Sequence, residues 1–122
     1  MSTTGTGGGA IEQLDRTLAA LADPARRSVV DCLRKSPRRA GELADVLGVS
    51  APRMSQHLRV LRDCGLIEDV GLTEDARVRV YRLRPEPFTR LRRWLDEVEA
   101  FWSEELAAFK VHAERTRGRR RS

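Results

Sequence analysis

With 122 residues, 40% of them hydrophobic and 34% charged, the chain has material for one globular domain with flexible ends and not for two. No run nears the roughly 18 to 20 apolar residues that cross a bilayer, and the opening MSTTGTGGGA has neither the basic start nor the apolar stretch of a secretion signal. The net charge of +5 invites a polyanionic partner, but the closing RTRGRRRS holds five arginines and the rest of the chain is neutral without them, so the placement of charge has to carry that argument.

Residues 1–10 are rich in Gly, Ser and Thr and are expected to form a disordered tail. The folded domain is then expected over 11–112 and a basic, disordered tail over 113–122. Ile11, Leu14, Leu18 and Leu21 form a helical stripe that stops before ADPARR. Asp23 is placed to cap a second helix, with Pro24 at its first position where the missing N–H is no loss. That helix turns Ala25, Val29, Cys32 and Leu33 inward and ends near Lys35, before Pro37. A third, short helix buries Leu43, Ala44 and Leu47 and stops at Gly48. Ser50 caps a fourth helix over 52–64, whose apolar side is Met54, Leu58 and Leu61, and Gly65 with Leu66 closes it. Helix, tight Gly-containing turn, helix is the outline of a helix-turn-helix, and a second helix of roughly 20 Å can lie in a major groove.

LIEDV reads as a strand, GLTEDA as a turn and RVRVYRL as a second strand, with Val78 and Val80 on one face and Arg77, Arg79 and Tyr81 on the other. A hairpin in this place makes a wing. From Pro87 the longest helix carries Phe88, Leu91, Leu95, Val98, Trp102 and Phe109 at spacings of three and four, and Trp94, Phe101 and Leu106 widen the stripe. So wide a stripe can cover its own core on one edge and a partner chain on the other. The fold class expected is mainly α with a small β-hairpin, a winged helix-turn-helix in the order α-α-α-α-β-β-α.

In order and spacing, ALADPARRSVVDCL, AGELADVLGVSAPRMSQHLRVLRDCGLI and VYRLRPEPF resemble the winged-helix transcriptional repressors of the ArsR/SmtB family. The resemblance covers about residues 11 to 110, and LADPARR and SAPRMSQHLRVLRDCGL are its most specific parts. It implies a homodimer joined by the first and last helices, here through Ile11, Leu14, Leu18, Leu91, Leu95, Val98, Phe101, Trp102 and Phe109. It also implies a fourth helix that reads operator DNA, a hairpin that serves as wing, and release from the operator by a signal. The chain departs from the family over that signal. Metal-sensing members carry Cys-x-Cys at the start of the third helix, where this chain reads RRAGELADVLG. Others bind zinc through Asp-x-His and a later His, where Asp96 is followed here by Glu97 and Val98, with His112 the one histidine nearby. Neither metal site is expected, nor any cofactor, which leaves a small-molecule or protein effector, or no direct effector at all.

Among the polar residues of the fourth helix, Arg53, Gln56 and Arg59 are candidates for base contact, since Arg pairs bidentately with guanine and Gln with adenine. Ser50, Ala51, Pro52 and Ser55 stand where a helix N-terminus meets phosphate. His57 lies on the flank of the buried stripe, packed or touching phosphate; no cysteine or second histidine is spaced to make it a metal ligand. Arg77 and Arg79 share a face of the wing and are assigned to the DNA backbone or minor groove, although Glu74 and Asp75 make the tip acidic. Cys32 and Cys64 read as inert core thiols in a cytoplasmic chain, with a thiol-based redox-sensing repressor as the alternative. Glu97, Glu99, Glu104 and Glu105 read as a solvated face. No catalytic constellation appears, so an enzyme is excluded, and the rival from another class is an interaction or dimerisation module that no longer reads DNA.

Overall fold

A computed structural model describes residues 6–71 and 78–121 of the chain, which divides into two units, 1–90 and 91–122. The elements are α1 (Thr6–Leu21), α2 (Pro24–Leu33), β1 (Arg38–Arg39), α3 (Ala40–Leu47), α4 (Ala51–Asp63), β2 (Ile67–Asp69), β3 (Val80–Leu83) and α5 (Pro85–Arg121). Two ends expected to be disordered are helical where described. The first, α1, begins at Thr6, inside the 1–10 segment, although Gly7 to Gly9 do not favour a helix by themselves. At the other end α5 runs through 113–121, where Ala, Glu and Arg are good helix formers and no proline follows Pro87.

The corner between α1 and α2 is built by ADPARR. The Asp23 carboxylate accepts hydrogen bonds from the N–H groups of Ala25 (2.7 Å) and Arg26 (3.2 Å), satisfying two open donors of α2. Arg26 donates from Nε to the Ala20 carbonyl at 2.7 Å, and Arg27 from Nη1 to that of Leu21 at 2.8 Å, so two arginines of α2 satisfy the last carbonyls of α1. Charge on these arginines therefore belongs to the fold. The hydrogen bond from the Arg26 amide is the main reason the Asp23 carboxyl sits below the ordinary aspartate range, with burial opposing and Ala25, the Arg26 charge and His57 assisting. A carboxyl lowered on folding stabilises above its unfolded pKa and loses that contribution as pH falls through the folded value. Hence Asp23→Ala should melt below the wild type at neutral pH, and the gap should close as pH is lowered from about 4. Parallel melts at pH 7 and at acid pH read this, and a gap independent of pH would disprove it.

The core of the first unit joins Val29 and Leu33 of α2, Leu43 and Ala44 of α3, Met54, Leu58 and Leu61 of α4, Leu66, Ile67 and Tyr81. Cys32 and Cys64 are half-buried against it as free thiols. Gly48, at φ 63°, takes the left-handed conformation that ends α3, and the Val49 N–H returns to the Ala44 carbonyl at 3.0 Å. Ser50 then caps α4, its Oγ accepting from the Arg53 N–H at 3.3 Å. The helix is closed by Gly65, at φ 80°, with the Leu66 N–H on the Leu61 carbonyl at 2.9 Å. A rigid turn before α4 and a second one after it fix its axis.

The wing is a three-stranded antiparallel sheet in the order β1-β3-β2, not a lone hairpin. Arg38 and Arg39 pair with Tyr81 and Val80, and this two-residue strand is too short to carry a periodic signal. With β1 added, β3 is the central strand, and Tyr81, expected beside Arg79 on an outer face, is buried in the core together with Val80. Across β2 and β3, Glu68 stands opposite Arg82, whose Nε donates to Oε1 at 2.6 Å.

The second unit is the body of α5. Leu91 and Val98 are half-buried, while Leu95, Phe101, Trp102, Leu106 and Phe109 are exposed, Phe109 by 70%. An apolar face of this kind is not a stable surface in water.

Candidate nucleic-acid interface

Burying Met54, Leu58 and Leu61 turns the other side of α4 outward, because the side chains of a helix share a face at spacings of three and four. Ser50, Ala51, Pro52, Arg53, Ser55, Gln56 and Arg59 are all exposed. The sequence-derived site residues fall into two groups. Ser55, Gln56 and Arg59 line a groove of about 360 Å3 with Arg62, Ala40, Arg79 and Tyr81. One wall is α4 and the other is the wing.

The second group, Ser50, Arg53 and His57, lines a separate depression with Asp23, Pro24, Ala25, Gly48 and Val49. Ala51 and Pro52 line neither, and occupy the exposed first turn of α4. His57 is buried, 8% exposed, and not presented with Gln56 on the open face. It sits three residues past Met54 and one before Leu58, which places it on the rim of the core stripe. Arg77 lies outside the described residues, as do Glu74 and Asp75 of the wing tip.

Arg79 is exposed but not unengaged: its Nε stands 3.5 Å from the Asp69 carboxylate across the wing. The pair holds Arg79 over the groove and lowers the positive charge it offers. Arg82 and Arg84 pair with Glu68 and, for Arg84, Glu86, so they stabilise the sheet and its junction with α5. By contrast, no side-chain hydrogen bond or ion pair joins Arg53, Gln56, Arg59 or Arg62 to the described residues. Sequence reasoning missed Arg62. Its signal was present, since Ser55, Arg59 and Arg62 follow at spacings of four and three and so share one face.

The faces expected to dimerise stand in each unit separately. On α1, Ile11 and Leu18 are exposed and Leu14 is half-buried. On α5, the exposed residues are Leu95, Phe101, Trp102 and Phe109, joined by Trp94 and Leu106. As to metals, α3 opens with Arg39, Ala40, Gly41 and Glu42, a set with no thiolate or imidazole donor, and it does not fit a soft-metal site. Among the described residues no three His, Cys, Asp or Glu side chains group as metal ligands.

The sequence profile of the family described as bacterial regulatory protein, arsR family, matches residues 23–69, from the Asp23 cap to the end of β2. The chain is 41% identical over 95 residues to the HTH-type transcriptional regulator Rv2034 of Mycobacterium tuberculosis, covering 78% of this chain and 83% of that protein. It resembles the solved structure of an ArsR-like transcriptional regulator from Rhodococcus sp. RHA1 with a TM-score of 0.73 and 33% identity, over 87% of this chain and 94% of that one. A homodimeric winged helix-turn-helix DNA-binding domain from Mycobacterium bovis shares the fold at a TM-score of 0.60 and 23% identity, over 87% and 94% of the two chains.

Proposed function

The chain belongs to the ArsR family of bacterial regulatory proteins, and on that premise we propose that it is a homodimeric, sequence-specific transcriptional repressor whose α4 reads a palindromic operator. The observation that carries this reading is the contrast among the arginines. Those of α2, β3 and the β3–α5 junction are engaged by backbone carbonyls or carboxylates, whereas Arg53, Arg59 and Arg62 on α4 have no such partner among the described residues. A row of unneutralised guanidiniums on a capped helix, beside a glutamine, is suited to guanine, adenine and phosphate. Two copies related by a two-fold axis present two such helices to major grooves one helical turn, roughly 34 Å, apart.

Effector release is assigned to a small organic ligand or a partner protein, since the residues at the family's metal positions lack the donors. The protein acts in the cytoplasm, where its operator is, and has no membrane partner; no helix among the described residues is long and apolar enough to cross a bilayer.

The test is a titration of the purified protein against its own promoter fragment and a scrambled fragment of equal length, over a range of salt. Specific binding should persist as salt rises. Gln56→Ala and Arg59→Ala should each weaken promoter binding by about 1–3 kcal/mol and relax the preference at particular bases. Arg79→Ala should weaken both fragments alike, because phosphate contacts carry no base information. Zinc added to the complex should leave it intact. Unchanged promoter-to-scrambled ratios in both α4 variants would give the interaction-module reading the advantage, and release by zinc would overturn the non-metal assignment.

A further inference from the structure

Of the two depressions on α4, the second lies apart from the groove that Gln56 and Arg59 line. Its floor is His57, more than nine-tenths buried, and among the described residues neither ring nitrogen makes a hydrogen bond. The ring nitrogens are not among the polar atoms that are both buried and unpartnered, so they keep access to solvent, and His57 lines the depression with its hydrogen-bonding capacity unused among the described residues. The walls around it are the first turns of two helices, α2 at Pro24 and Ala25 and α4 at Ser50 and Arg53, joined through Gly48 and Val49. Helix N-termini carry partial positive charge, and that of α4 is a 13-residue helix, long enough for the effect.

We infer that this depression is an oxyanion site that takes one backbone phosphate of the operator, held by His57, the Arg53 guanidinium and the Ser50 hydroxyl. The inference rests on the DNA-reading proposal and adds to it the atom that His57 meets. Three features favour phosphate over a second protein or a carboxylate ligand. The Ser50 Oγ accepts from the Arg53 N–H, which leaves its own proton free to donate outward. Arg53 is exposed and unpaired among the described residues. The site also adjoins the reading face along the same helix, Arg53 and His57 both lying to one side of Gln56, so a duplex laid against Gln56 brings its sugar-phosphate strand past this edge.

Asp23 is the one carboxylate in the wall, and its charge is already answered. One of its oxygens accepts from the amides of Ala25 and Arg26, and the other lies 3.8 Å from the Arg26 guanidinium. Its lowered pKa is in keeping with a carboxylate held by those donors. Facing the depression there remain the cation of Arg53, the imidazole and the α4 dipole. Phosphate has three donors to meet, and the tetrahedral oxygens can take them at once.

The test uses the full-length protein and anisotropy titrations of the promoter and scrambled duplexes with His57→Leu and His57→Gln. The leucine variant keeps the volume and removes the donor. It should bind both duplexes about tenfold more weakly with their ratio unchanged, and the glutamine variant, which restores a donor, should recover part of the loss. Thermal melts of the free proteins separate this from unfolding, since a donor lost only from the complex leaves the melting midpoint of the glutamine variant near that of the wild type. A scan of single methylphosphonates along one bound half-site supplies the sharper result. In the wild type one position should stand out as weakening, and in His57→Leu that same position should cost nothing further. Equal penalties in both proteins at every position, or a leucine variant that binds as tightly as the wild type, would overturn the phosphate contact while leaving base reading by Gln56 and Arg59 in place. A wild type that binds promoter and scrambled duplexes with equal affinity would instead sink the operator reading, and a flat scan in it would end the phosphate site as well.

Discussion

Trp102→Glu will turn the protein into a monomer and reduce its operator affinity by between about a hundredfold and ten-thousandfold, with little change in its melting temperature. The size follows from linkage: once one α4 of a dimer is bound, the second binds at the high effective concentration set by the connection between them, and a monomer loses that gain whole. The specificity of the effect follows from exposure. Trp102 is 59% exposed within the single chain, so a charge there disturbs no packing of the subunit on itself, yet between two copies it would place a carboxylate in an apolar contact. Its neighbours on the same helical face, Leu95, Leu106 and Phe109, give the substitution nowhere dry to hide. Sedimentation of the variant and its titration against the promoter fragment check both halves. A dimer that survives Trp102→Glu, and survives it again when Phe109→Glu is added, would place the subunit contact elsewhere.

Because a monomer still carries the α4 face, it should keep some preference among bases while losing strength. Loss of strength without loss of preference is the signature that separates this variant from Gln56→Ala. The same division of labour explains why a protein whose first 114 residues are electrically neutral can be a DNA reader. Arginines of α2 and β3 are committed to helix ends and carboxylates, whereas Arg53, Arg59 and Arg62 stand on the exposed side of α4 without such partners among the described residues.

The helices were legible in the sequence because their ends carry chemistry. Asp23-Pro24, Gly48 to Ser50 and Gly65-Leu66 each combine a capping side chain or a left-handed glycine with the start or stop of a 3.6-residue pattern, and each stands in the structure where that chemistry puts it. Boundaries drifted by a residue or two: α4 is Ala51–Asp63 where 52–64 was read, and α5 starts at Pro85 where Pro87 was read, the first turn of a helix tolerating proline at either place. What could not be read is what depends on distant partners. The strand at Arg38–Arg39 exists because Val80 and Tyr81 come alongside it, and nothing within two residues announces that. Tyr81 is buried for the same reason. The work of Arg26 and Arg27 as caps for α1 likewise required the corner to be seen, and a sequence can show only that two arginines are near it. On the reading face the periodicity that identified Arg53, Gln56 and Arg59 also includes Arg62, while the burial of His57 agrees with a histidine packed on the flank of the apolar stripe.

Leu61→Ala makes the opposite separation from Trp102→Glu: it should cost about 2–5 kcal/mol of folding stability while leaving every DNA-facing side chain in place. Leu61 has no exposed surface, and it belongs to the cluster through which α4 packs on the rest of the first unit. Removing three carbons there leaves a hole that the neighbours fill only in part, because α4 is pinned at both ends by Ser50 and by the Leu66 to Leu61 turn and cannot settle inward freely. For a domain of this size that loss is a large share of a total stability on the order of 5–15 kcal/mol. Urea titration should show the midpoint falling with its slope unchanged, and operator affinity measured well below the transition should follow the folded fraction and nothing else. Arg59→Ala should do the reverse, shifting affinity and leaving the urea midpoint where it was. If Leu61→Ala instead altered the base preference of the fully folded protein, the two faces of α4 would be mechanically coupled, and the packing beneath the helix would have to be counted as part of how it reads DNA.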